Sequence, residues 1–138
     1  MASVSTQLRR HGLKDTRTRR RVIRALKTME KPVSAYDIQH WLAAQGEGIN
    51  QVTVYRVLSA LEKSALVHRH PCDRSYSLCT IPEVKGHHGF LHCSTCGRTQ
   101  EFSNDGLSEA VRKVARSQKF QPLQHMSELV GTCVLCAS

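Results

Sequence analysis

Apolar positions in the first half of the chain recur at helical spacing in three stretches. Over residues 16–29, Val22, Ile23 and Leu26 form a stripe with Arg19 at its edge, which predicts a helix. Pro32 closes that segment. Ser34 opens a second helix with Asp37 three residues on, a capping-box spacing in which each side chain satisfies an orphan backbone amide. Ala35, Ile38, Trp41 and Leu42 carry its apolar face, with Trp41 reading as core, until Gly46 and Gly48 stop it. Asn50 starts a third helix that runs to about Ser64, with Val54, Val57, Leu58 and Leu61 at i, i+3, i+4 and i+7. Thr53, Tyr55, Arg56 and Ser59 are left towards solvent or a partner. Two short helices joined by a glycine-containing turn are the pattern of a helix-turn-helix, whose second helix enters the major groove of DNA.

The period then changes. Residues 66–70 and 76–80 predict two strands around Pro71, Cys72, Asp73 and Arg74, a hairpin placed as the wing of a winged helix. Residues 81–89, with Pro82, Gly86 and Gly89, read as a hinge. Beyond them come a strand near 90–92, a turn, a strand near 98–102 and a helix over about 104–118 that packs through Leu107, Ala110, Val111 and Val114. A last strand is expected over about 121–130. The fold class is therefore α+β. An N-terminal winged-helix DNA-binding domain at 1–81 and a hinge at 82–89 precede a small α/β domain at 90–138.

Charge sharpens the picture. Twenty Lys and Arg against eleven Asp and Glu give a net charge of +9, which favours a polyanionic partner. Ten of the basic residues (Arg9, Arg10, Lys14, Arg17, Arg19, Arg20, Arg21, Arg24, Lys27 and Lys31) fall within the first 31 positions, beside only Asp15 and Glu30. Arg17, Arg20, Arg21 and Arg24 recur on one helix face; alone this is an ordinary solvated face, but beside a DNA-binding motif it suits phosphate contacts. No apolar run approaches the roughly 18 residues that would cross a bilayer. The N-terminus lacks the apolar core of a secretory signal. A cytoplasmic location and no membrane partner are expected. In a reducing compartment the six cysteines point to metal or catalysis rather than disulfides. No nucleophile elbow or phosphate-cradling glycine loop is present, and no enzyme is expected.

Cys93-Ser-Thr-Cys96-Gly97 and Cys133-Val-Leu-Cys136 are two CxxC pairs. A CxxC turn points both sulfurs at one centre, and two turns complete a tetrahedron of thiolates around a structural zinc ion. One CxxC could instead be the redox pair of a thiol oxidoreductase, and a zinc ribbon could serve an RNA-binding module. A second donor set gathers around the hinge. Cys79 ends the wing's second strand and His68 lies on the paired strand, while His87 and His88 sit in the hinge and Glu101 lies across it. His70, Cys72, His92, Glu109 and His125 are further candidates. One thiolate, one or two imidazoles and one carboxylate suit Zn²⁺, because a soft sulfur ligand favours it over harder cations.

Several segments together resemble the ferric uptake regulator (Fur) family along nearly the whole chain. They are Gly12-Leu13-Lys14 with Thr16, Ser34-Ala35-Tyr36-Asp37, Thr53-Val54-Tyr55-Arg56-Val57-Leu58, the His-rich hinge, Cys93-x-x-Cys96-Gly97, Glu101-Phe102 and Gly131-x-Cys133-x-x-Cys136. The resemblance implies a homodimeric repressor that binds an A/T-rich inverted repeat, with residues 90–138 as the dimerisation and metal-binding domain, one structural zinc and one regulatory metal. It implies that Tyr55 and Arg56 face DNA and that Lys14 contacts phosphate or the minor groove. Gln51, Thr53 and Ser59 join them as candidate base contacts, and Arg17, Arg20 and Arg21 as backbone contacts. Gly89, Phe90 and Val33 stand where iron- and peroxide-sensing members carry histidines. Tyr76-Ser77-Leu78-Cys79, with His68 and Glu101 in register, resembles the zinc uptake regulator (Zur) branch. The fourth ligand falls at His87 or His88. His125 matches a ligand of a third family site whose carboxylate partners are replaced here by Gly89 and Ser108. Zinc-responsive control of zinc-uptake genes is the expected function, with Fe²⁺ or Mn²⁺ as the alternative regulatory metals and iron or peroxide sensing as the rival.

Overall fold

The computed structural model describes residues 3–81, 88–122 and 126–137, and the chain divides into two compact units, Met1–Cys79 and Thr80–Ser138. Unit 1 contains α1 (Val4–Arg10), α2 (Arg17–Met29), α3 (Ala35–Ala44), α4 (Gln51–Lys63), β1 (Val67–Arg69) and β2 (Tyr76–Leu78). Each main helix starts at a side chain that satisfies an otherwise orphaned amide: Thr16, Ser34 and Asn50 accept from the N–H of Arg19, Asp37 and Thr53. The Ser34–Asp37 capping box is closed in both directions. Val22, Ile23 and Leu26 of α2 pack with Ile38 and Leu42 of α3 and with Val54, Leu58 and Leu61 of α4 in one buried cluster. Trp41 borders this core, as its position in the stripe suggested.

α1 lies outside the expected elements. Ser3 caps it and Leu8 is fully buried in the same core, with Val4 at the margin. His11 Nδ1 bonds the Ser64 carbonyl at 2.9 Å and ties the end of α1 to the end of α4. The hairpin is shorter than the sequence suggested, with His68 opposite Ser77. It is sewn to the segment before α3 by paired bonds between Val33 and Tyr76, at 2.9 and 2.7 Å. The wing and the first helix of the helix-turn-helix are thus held together by backbone hydrogen bonds.

Unit 2 contains β3 (His88–Cys93), β4 (Thr99–Phe102), α5 (Asp105–Ser117) and β5 (Met126–Gly131). The sheet order is β4-β3-β5, with β3 antiparallel to β4 and parallel to β5, so α5 lies in the crossover. His88 and Gly89 belong to β3 rather than to a hinge, and Gly89 pairs with both Phe102 and Ser127. Gly89 serves close packing: a Cβ there would lie 2.5 Å from Phe102 Cζ. Gly89→Ala is expected to destabilise the protein by about 1–3 kcal/mol through overpacking, read as a lower midpoint in denaturant. An unchanged midpoint would mean that the ring moves aside without cost. The expected hinge residues 82–87, His87 among them, and His125 lie outside the described residues.

Two further expectations need correction. Gln121 and Pro122 are not in a strand, and the described part of the last strand begins at Met126; a proline has no N–H to give to a ladder. The helix expected to pack through Leu107, Ala110, Val111 and Val114 has Ser108 as its one buried residue; Leu107 and Val111 are half-buried, Ala110 is exposed and Val114 is 64% exposed. The periodicity marks an apolar stripe on α5 that this chain alone leaves largely uncovered.

Candidate metal centres and nucleic-acid face

The parallel pairing of β3 with β5 places Cys93 opposite Gly131, so the two CxxC turns leave the sheet at the same end. In the first turn Gly97 adopts φ 77°, a left-handed conformation that favours glycine, and its N–H bonds the Cys93 carbonyl at 2.9 Å. In the second, the Cys136 N–H bonds the Cys133 carbonyl at 3.0 Å. Ser94 N–H to Gly131 O at 2.8 Å and Cys133 N–H to Cys93 Sγ at 3.3 Å join the turns. All four sulfurs lie within 4.8 Å of one another, and Cys96 Sγ is 3.8 Å from Cys133 Sγ. Zn–S bonds of about 2.3 Å at tetrahedral angles put sulfurs roughly 3.8 Å apart. The donor set therefore fits a closed, structural zinc ion.

The electrostatics agree. Backbone amides of Cys96 and Cys133 aimed at Cys93 draw its thiol down to about 5. Cys136 is pushed up to about 12, chiefly by its hydrogen bond with the Cys133 sulfur and by burial. Amides aimed at one sulfur favour its thiolate, and a charged sulfur beside another resists a second deprotonation. Neither CxxC opens a helix, which is where a redox-active pair gains its low-pKa thiolate.

The second donor set is built from two local pairs. In unit 1, a ring nitrogen of His68 and Cys79 Sγ lie within 4.8 Å of each other, and both residues are buried. Cys79 N–H bonds the Leu66 carbonyl at 2.9 Å, extending the hairpin past β2. In unit 2, His88 Nδ1 meets Glu101 Oε2 at 2.6 Å, and Glu101 Oε1 accepts from Thr80 N–H at 2.8 Å and Thr80 Oγ1 at 3.1 Å. The other candidates have different partners. His70 is buried and bonds Ser77 Oγ at 2.8 Å, an intra-hairpin contact. His92 meets Thr99 Oγ1 at 3.0 Å, Glu109 pairs with Arg112 and Arg116 at 3.3 and 3.0 Å, and Cys72 is exposed near the hairpin tip. Thr80 was missed by sequence reasoning, since nothing marks a lone threonine as a carboxylate's partner.

On α4, Gln51, Arg56 and Ser59 are exposed, Thr53 is half-buried and Tyr55 is 48% exposed. They lie off the buried stripe, leaving a polar and aromatic face available to base edges. Lys14 and Arg17 are exposed. Arg20 and Arg21 are already paired, with Asp15 at 2.7 Å and Glu47 at 3.0 Å, and Arg24 also bonds Glu47. The Arg24 guanidinium is the main reason that the Glu47 carboxyl sits below its usual range. Pairs this open to solvent on at least part of their surface are weak, so a phosphate can compete with the carboxylate for the guanidinium.

A helix-turn-helix with a hairpin wing, followed by a small sheet closed by four thiolates, defines a metal-binding transcription regulator. Residues 10–130 match the Ferric uptake regulator family. The chain belongs to that family, and it is a metal-responsive, DNA-binding regulator. It is 32% identical to the ferric uptake regulation protein of Legionella pneumophila over 96% of this chain and 97% of the relative. The holo form of XcZur superposes with a TM-score of 0.84 at 28% identity, over 96% of this chain and 95% of that one. A zinc uptake regulator complexed with zinc and DNA shares the fold with a TM-score of 0.86 at 24% identity, over 96% of this chain and 89% of that one. Among the described residues no helix is long and apolar enough to cross a membrane.

Proposed function

We propose that this protein is a zinc-responsive repressor of zinc-uptake genes that binds an A/T-rich inverted repeat as a homodimer. The observation that carries zinc sensing is the buried Cys79 beside His68 at the end of the wing. With His88 and Glu101 these residues supply one thiolate, two imidazoles and one carboxylate, a set whose sulfur favours zinc over iron(II) and manganese(II). Glu101 is the carboxylate of the set, and His88 is its second imidazole in place of His87. Likeness to holo XcZur supports the same reading.

Zinc bound to donors from both units supplies a free-energy difference between domain arrangements, and the one that suits the operator becomes the dominant population. The rest is the chain's own work. Tyr55, Arg56, Gln51, Thr53 and Ser59 on α4 read base edges. Lys14, Arg17, Arg20 and Arg21 neutralise phosphates, which makes affinity fall with salt. Arg56→Ala is expected to weaken specific operator binding by about 1–3 kcal/mol in a gel-shift titration. An unchanged affinity would remove Arg56 from the base contacts.

Iron sensing is the second reading, favoured by the 32% identity to a ferric uptake regulation protein. Operator titrations with Zn²⁺, Fe²⁺ and Mn²⁺, run beside metal content per monomer before and after mild chelation, separate the two. Zinc sensing requires one tightly held zinc and one exchangeable zinc that raises affinity at lower free concentration than the other ions do. Stimulation by Fe²⁺ alone would overturn it.

A further inference from the structure

Both oxygens of the Glu101 carboxylate have partners, and its side chain is only 2% exposed. Oε2 faces the His88 imidazole at 2.6 Å. Oε1 accepts two bonds from one residue, the Thr80 N–H at 2.8 Å and the Thr80 hydroxyl at 3.1 Å. A carboxylate oxygen offers two lone pairs, so Thr80 uses both acceptor positions of Oε1. Packing does not dictate this side chain, because Thr80 itself is exposed.

We propose that Thr80 is a specificity-determining residue: by occupying Oε1 it limits Glu101 to one metal bond through Oε2 and keeps the regulatory centre four-coordinate. The inference rests on the reading of Glu101 as a regulatory ligand. Zinc accepts four ligands without penalty. Iron(II) and manganese(II) take larger, oxygen-rich shells, for which a two-oxygen carboxylate is the nearest extra donor. The hydroxyl of Thr80 withholds that donor and so widens the margin by which zinc is preferred. Thr80 touches no metal; it acts through Glu101 as a positioning residue.

The test uses the full-length protein with zinc in the four-cysteine centre, titrated with Zn²⁺, Mn²⁺ and Co²⁺. Thr80→Ala frees one lone pair of Oε1. Zinc affinity is expected to fall about tenfold, the lower end for loss of such an outer contact, while manganese affinity holds or rises. The visible bands of bound Co²⁺, intense when four-coordinate, should weaken as a fifth bond forms. Thr80→Val, which keeps the shape without the hydroxyl, should behave as Thr80→Ala does. Thr80→Ser should restore both readouts. Equal losses for zinc and manganese with an unchanged cobalt spectrum would reduce Thr80 to an orienting contact and overturn the proposal. Glu101→Ala is the control: if it keeps full zinc and cobalt binding, Glu101 is not a ligand, and both the donor set and the role of Thr80 fall. If it loses that binding while Thr80→Ala changes no preference, the role of Thr80 alone falls.

Discussion

Cys79→Ser is expected to leave a folded protein with one zinc per monomer that no longer gains operator affinity when more zinc is added. The substitution is nearly isosteric, so the hairpin should survive. It removes the soft donor that distinguishes this site, because a serine hydroxyl is a poor ligand for zinc at neutral pH. Couplings between effector and ligand of this kind typically span about 5–150-fold in affinity, and the whole of that gain should vanish. Gel shifts with and without added zinc read it directly, and circular dichroism checks the fold. A lower melting temperature together with lost secondary structure would instead make Cys79 a core residue.

The largest effect on stability should come from the other centre. Cys96 is exposed, so Cys96→Ser disturbs little packing and isolates the loss of a ligand. Structural zinc sites in small domains carry about 10–16 kcal/mol of apparent binding free energy, more than a typical whole domain retains on folding. After mild chelation, zinc per monomer should drop from one to near zero, and unit 2 should lose its ordered sheet by hydrogen exchange while α2, α3 and α4 keep theirs. Retained zinc with native exchange protection would show that three thiolates suffice. Acid should favour zinc release from the unsubstituted protein, because protons compete with metal for the sulfur lone pairs.

Much of unit 1 was legible because its helices announce themselves twice, in the apolar period and in Thr16, Ser34 and Asn50 at their starts. α1 was not, because seven residues with Val4 and Leu8 as their apolar positions give too short a period. The four-cysteine centre followed from spacing, since a CxxC turn is a local object. Gly89 was misread because glycine marks both bends and tight packing, and only the Phe102 ring distinguishes them. The ion pairs of Arg20 and Arg21, and the grip of Thr80 on Glu101, join residues distant along the chain or lacking any pattern. The open face of α5 shows the reverse failure: periodicity says which side is apolar and does not say what covers it.

The neighbouring ladder of β3 and β5 has a mechanical asymmetry. Both strands travel in one direction, from the His88 and Met126 end to the Cys93 and Gly131 end, and the thiolate knot grips only the latter. The donor proposed for sensing and the structural thiolates thus sit at opposite ends of one strand. An ion arriving at His88 leaves the stapled register of the sheet in place.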